Sequence, residues 1–179
     1  MATHARERLI EAARELFFAE GIRAVGVERL LASSGIGRAS FYRHFASKDE
    51  LVVAVLEERD TLWRQWLEAE VAARGRAPLA VFDALEQDCE QGNFRGCAFS
   101  NAMTEFSDAD GPVHRVATEH KRAVAAFIAE LLAEAGQPDC AALARKFVLL
   151  MDGATVTVVR ERSAEPIRCA RGIAAGLLS

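Results

Sequence analysis

Residues 27–51 read VERLLASSGIGRASFYRHFASKDEL, and the punctuation of this stretch decides the fold. Val27 to Ser34 is a short helical pattern that buries Leu30 and Leu31. Gly35-Ile36-Gly37 then supplies a tight turn, because glycine tolerates positive φ. A second short helix is predicted from Arg38 to Phe45. Phe41 and Phe45 are four apart and share its inner face, which leaves Arg38, Ser40, Tyr42 and Arg43 outside that stripe. Ser47 and Glu50 form a capping box, so a further helix starts at Lys48.

Outward from this stretch the pattern stays helical. Upstream, Ile10, Ala13, Leu16 and Phe17 recur at spacings of three and four, predicting a helix from about Thr3 to Glu20 that Gly21 closes with a left-handed cap. Downstream, the helix from Lys48 runs to about Arg74. Further helices are predicted over about 78–90, 97–107, 112–135, 138–161 and 164–178, with a Gly-Asn-Phe-Arg-Gly loop at 92–96. The chain is therefore expected to be all-α with about nine helices. One piece reads locally as strand, the β-branched run Thr155-Val156-Thr157-Val158-Val159, and tertiary packing must override it if the helix is continuous. The natural boundary lies near Phe45 to Lys48, giving a three-helix N-terminal domain over 1–47 and a helical domain over 48–179.

Composition supports this reading. With 179 residues, 51% hydrophobic and 27% charged, the chain has the balance of a globular protein of one or two helical subdomains, not of a disordered tail or a fibre. Only 12 Gly and 4 Pro interrupt it, which favours long helices over many short strands. No apolar run reaches the roughly 18 residues of a membrane span and charges crowd the N-terminus, so a cytoplasmic protein with no membrane partner is expected. Cys89, Cys97, Cys140 and Cys169 form no C-x-x-C pair, which argues for reduced, mostly buried thiols.

The formal net charge of −4 excludes wholesale coating of nucleic acid, but charge acts locally. From Arg29 to Lys48 there are four cations and no carboxylate, the longest acid-free stretch in the chain. Two short helices joined by a glycine turn have helix-turn-helix geometry, which suits the DNA major groove, and a carboxylate beside a phosphate rail would oppose binding. Fold pattern and electrostatics thus point to the same ligand, double-stranded DNA.

The same residues carry a family resemblance. VERLLASSGIGRASFYRHFASKDEL resembles the DNA-binding signature of TetR/AcrR-type one-component transcriptional regulators, with the glycine turn, the F-Y-x-H-F core and the S-K-D-E-L helix start in register. RERLIEAARELFFAEG resembles the family's first helix, and the detailed likeness covers residues 6–56. The resemblance implies that Arg38, Ala39 and Ser40 approach base edges, and Arg38 has the planar fork for a bidentate contact to guanine. It places Tyr42 and His44 on phosphate oxygens and Lys48 beside the same anion. The sequence departs from the family pattern where Gly26 and Gly37 stand in place of Ser or Thr helix caps.

The second half suggests two further roles. FVLLMDGATVTVV, residues 147–159, holds one charge, Asp152, so its helix is apolar nearly all round and calls for a second apolar surface. A homodimer is expected in which the last two helices pair with their copies, as the resemblance also implies, using Val148, Thr155, Val159, Ile167, Ala170, Ile173, Ala174 and Leu177. A pocket for an unknown small-molecule effector is expected among Trp63, Trp66, Phe82, Phe94, Phe99, Met103, Phe106 and Phe127, although such side chains are more often core. The functional expectation is a ligand-responsive regulator, most simply a repressor, that binds a pseudo-palindromic operator as a dimer and is released by the effector. Its rival is an all-helical enzyme or a cysteine-based redox or metal sensor. His114 and His120 are six apart, about 240° round a helix, and no H-E-x-x-H, G-x-S-x-G or P-loop pattern occurs, so no catalytic residue, metal ligand or cofactor is assigned.

Overall fold

A computed structural model describes residues 2–91 and 94–178 of the chain. Among them are nine helices and no strand: α1 (Ala2–Glu20), α2 (Val27–Ser34), α3 (Arg38–His44), α4 (Lys48–Ala73), α5 (Ala80–Glu90), α6 (Ala98–Glu105), α7 (Pro112–Glu134), α8 (Cys140–Glu161) and α9 (Glu165–Gly176). The expected loop at 92–96 lies partly outside the described residues, since Gly92 and Asn93 are not among them. No helix among the described residues is long and apolar enough to cross a membrane. The chain divides into two compact units, residues 1–60 with 98–117 and residues 61–97 with 118–179, so the compact N-terminal unit is larger than 1–47.

In the first unit α1 packs on α2 and α3. Its Leu9, Ile10, Ala13, Leu16 and Phe17 are buried, as are Leu30 of α2 and Phe41 of α3, with Phe45 just beyond. Gly35 ends α2 at φ 64°, where its N–H donates to Leu31 O at 2.9 Å. A Cβ there would lie 2.8 Å from Arg8 Nη2, and that guanidinium donates to Ser34 O at 2.5 Å, so the backbone conformation and the close approach both require glycine. Gly37 is different, an extended N-cap at φ −72°, so the turn uses positive φ at one glycine only. At the start of α4 the Glu50 N–H donates to Ser47 Oγ at 3.2 Å, while the Glu50 carboxylate accepts from Ala46 N at 2.5 Å, one residue before the cap.

The second unit has its own core, in which Leu67, Val71, Phe82, Leu85, Ile128, Leu131, Leu132 and Phe147 are buried. The Phe82 and Phe147 rings pack with centroids 5.4 Å apart. The β-branched run is helical within α8, because burial of Thr155 and Val158 overrides local propensity. The Thr155 and Thr157 hydroxyls donate back to Asp152 O (3.0 Å) and Gly153 O (2.7 Å), which satisfies them inside the helix.

Burial also corrects the expected dimer residues. α9 lies on α8 and α5, and Ile167, Ala170, Ala174 and Thr155 are buried inside their own unit, leaving little area for a partner. The stripe read as an outer face on α9 is its inner one, since periodicity gives the number of apolar faces and not which of them a neighbour covers. Val148 and Leu177 are half-buried against the same core, whereas Val159 and Ile173 are exposed. Alongside these, Leu149 and Val156 are 73% and 65% exposed. Of the cysteines, Cys89, Cys97 and Cys140 are half-buried and Cys169 is exposed, so the thiols are less hidden than expected.

Candidate nucleic-acid interface

The outer face of α3 carries Arg38 and Ala39, both exposed, Tyr42, 50% exposed, and the half-buried Ser40 and His44. Beneath it Phe41 and Phe45 anchor the helix. The Phe41 ring meets the Tyr42 ring edge-on at 5.1 Å, and the Arg6 guanidinium lies 5.4 Å from the Phe45 centroid. A short helix is thus fixed from below by aromatic burial while its polar side is left open.

Two carboxylates outside the acid-free stretch matter here. Glu28 of α2 pairs with Arg38, the residue expected to read a base. Both side chains are well exposed, and a pair of this kind contributes about 0–1 kcal/mol, less than the roughly 1–3 kcal/mol of discrimination from a bidentate guanine contact. Glu28 therefore holds the guanidinium without locking it away. Glu105, at the end of α6, accepts from the backbone N–H groups of Ile22 (3.1 Å) and Arg23 (2.7 Å) in the loop between α1 and α2.

Lys48 grips the same loop through its carbonyls. Its ammonium donates to Ile22 O at 2.9 Å and Val25 O at 3.1 Å, so two of its three N–H groups are engaged and one is left for an anion. Neither Glu105 nor Glu28 was signalled by the sequence, the first because it is more than 80 residues from the loop it holds, the second because it adjoins the acid-free stretch from outside.

A protein-family model for bacterial regulatory proteins of the tetR family matches residues 9–55, which contain the greater part of α1 and all of α2 and α3. The crystal structure of SCO4454, a TetR-family transcriptional regulator from Streptomyces coelicolor, superposes with a TM-score of 0.86 at 34% identity, covering 99% of this chain and 97% of that one. The chain belongs to the TetR family of transcriptional regulators. Two other relatives of this TetR-family protein are informative. The HTH-type transcriptional repressor NemR of Escherichia coli K12 is 25% identical over 174 residues, 90% of this chain and 87% of NemR. The crystal structure of its reduced form has a TM-score of 0.84 at 22% identity, over 98% of this chain and 97% of that one, a likeness of fold. The HTH-type transcriptional activator FasR of Mycolicibacterium smegmatis is 36% identical over 92 residues, 48% of this chain and 42% of FasR.

The residues expected to line an effector pocket are divided between the two units of this TetR-family chain. Phe99, Met103 and Phe106 belong to the first unit, and Trp63, Trp66, Phe82, Phe94 and Phe127 to the second. Phe82 and Phe99 are buried core residues with no surface to offer a ligand. Trp63 packs against Trp66 (6.0 Å) and His120 (5.2 Å), and Phe127 lies under the Arg76 guanidinium (5.8 Å). Phe94 lines a cavity described below. Among the described residues no three His, Cys, Asp or Glu side chains converge as a metal-binding group.

Proposed function

We propose that the protein is a cytoplasmic, ligand-responsive transcriptional repressor that binds a pseudo-palindromic operator as a homodimer and releases it when a small-molecule effector binds. The observation that carries this reading is the open polar face of α3 above its buried aromatics, in the middle of the acid-free stretch. Arg38, Ala39 and Ser40 read base edges. Tyr42, His44 and the free N–H of Lys48 hold phosphates, and residues 1–47 are the DNA-binding segment of the chain. NemR is a repressor and its match spans most of both chains, whereas the activator FasR matches over less than half of either.

Dimerisation uses the outward face of α8 and α9. Leu149, Val156, Val159 and Ile173 are large, apolar and exposed, and Leu149 and Ile173 flank a groove of about 390 Å³ floored by Gly153 and Ala170. A two-fold pairing over this face presents two copies of α3 to two half-sites.

Salt and base substitution test the interface together. Log affinity for operator should fall with log salt concentration with a slope of about −5 to −9 for the dimer, as six to ten phosphate contacts require. Arg38→Ala should relax base preference at one position per half-site by about 1–3 kcal/mol. Lys48→Ala should weaken all sequences alike. A flat salt response, or equal loss on every sequence from both variants, overturns the assignment.

A second reading, in which the effector acts on a thiol, is favoured by one contact. Burial works to lower the pKa of the Lys121 ammonium, but Cys97 and Asp152 beside it outweigh burial and raise it, so a cation is held against the thiol. Cys89, the nearest cysteine in sequence, is pushed up to about 12 by burial and the neighbouring carboxylates, which keeps it unreactive. Hydrogen peroxide should then weaken operator binding by wild type and not by Cys97→Ser. An unchanged operator affinity after peroxide disposes of this reading and leaves the first intact.

A further inference from the structure

The second unit contains a cavity of about 630 Å³ beside the turn that joins α8 to α9, within the range of small-molecule sites. Part of its lining is apolar, formed by the buried Val158, the half-buried Phe94 and the exposed Val159. The Cys89 thiol also lines it and stays neutral at physiological pH.

The polar side of the cavity is unusual in one residue. Arg162 caps α8 with φ 54° and ψ 40°, its N–H donating to Val158 O at 2.7 Å. This left-handed conformation suits glycine and strains an arginine. Among the described residues two other non-glycine positions have positive φ, and each has an evident reason. Asp139 is of a type that visits the region readily, and Arg76 makes a two-pronged pair with Glu134 at 2.8 and 2.7 Å.

Arg162 has no such partner. Its guanidinium makes no ion pair or hydrogen bond among the described residues, yet it lines the cavity. Arg168 lines it too, but Glu86 (2.6 Å) and Glu165 (2.9 Å) already neutralise it. A strained backbone position occupied by an exposed, unpaired cation lining a cavity that is apolar in part is the kind of outlier that marks a binding site.

We propose that this cavity binds a small amphipathic monoanion, with its apolar body against Phe94 and Val158 and its acid head on Arg162. Glu90, which also lines the cavity, disfavours a second negative charge on the ligand. The inference does not depend on the DNA-binding reading.

Isothermal titration calorimetry of the full chain with 4-phenylbutyrate, and with the neutral 4-phenylbutyramide, tests it. One carboxylate should bind per chain, with the amide weaker by at least about tenfold. Arg162→Gly should lose at least about tenfold in affinity for the acid while its Tm holds or rises, because glycine relieves the left-handed position. Arg162→Lys should retain most of the affinity. Three results overturn the proposal: no saturable binding of the acid, equal binding of acid and amide, or unchanged acid binding by Arg162→Gly.

Discussion

Val156→Glu and Leu149→Glu should each convert the protein to a monomer and lower operator affinity by about 100-fold or more, with little change in Tm. These side chains are 65% and 73% exposed, so in a single chain a carboxylate there remains hydrated and its effect on folding stays within about 0.5 kcal/mol. In a two-fold interface every substitution occurs twice. Two unpaired carboxylates would then be buried close to their copies, and each uncompensated charge costs several kcal/mol, enough to dissociate a face of this size. A monomer keeps one α3 and one half-site, so the contribution of the second half-site is lost. Sedimentation velocity and operator titration on the same samples check both expectations. A Val156→Glu variant that remains dimeric and binds operator as wild type does would place the interface elsewhere.

The second large effect belongs to Glu105. Its carboxylate accepts two backbone N–H groups at 3.1 and 2.7 Å, and charge-assisted bonds of this kind contribute about 1.5–3 kcal/mol when they are satisfied. Glu105→Ala leaves Ile22 and Arg23 without their acceptor. Stability should fall by about 2–3 kcal/mol, and the amides of Ile22 and Arg23 should exchange hydrogen faster. Because the loop leads directly into α2, operator affinity should fall as well, whereas Glu105→Gln, which keeps one acceptor oxygen, should lie between. Unaltered amide exchange at Ile22 and Arg23 in Glu105→Ala would show that the loop is held by other contacts.

What the sequence reveals follows the range of each interaction. Gly35, Ser47 and Glu50 act within four residues of their partners, so the helix-turn-helix and the start of α4 are legible from spacing alone. Phe41 and Phe45 define the inner side of α3, and with it the outer side, because α1 packs on the helix. α9 is harder. Ile167, Ala170 and Ala174 form one stripe, and Ile173 lies off it; nothing local says that α8 and α5 cover the first and leave the second open. The Glu105 contact is invisible for the same reason, since a glutamate at a helix end reads as solvated until the fold brings a distant loop against it. Arg162 is hidden differently. Its residue type argues against the left-handed backbone it adopts, so local rules point away from the answer.

The clasp on the loop between α1 and α2 bears on how regulators of this architecture are recombined. Lys48 and Glu105 hold the same short loop, one by its carbonyls and the other by its N–H groups, and both lie beyond residue 47. A chimaera that imports a foreign headpiece at the 47/48 junction would therefore place a new loop against fasteners shaped for the old one. Transplanting operator preference intact calls for moving residues 48 and 105 together with the headpiece, and a headpiece excised at residue 60 would lose one fastener altogether.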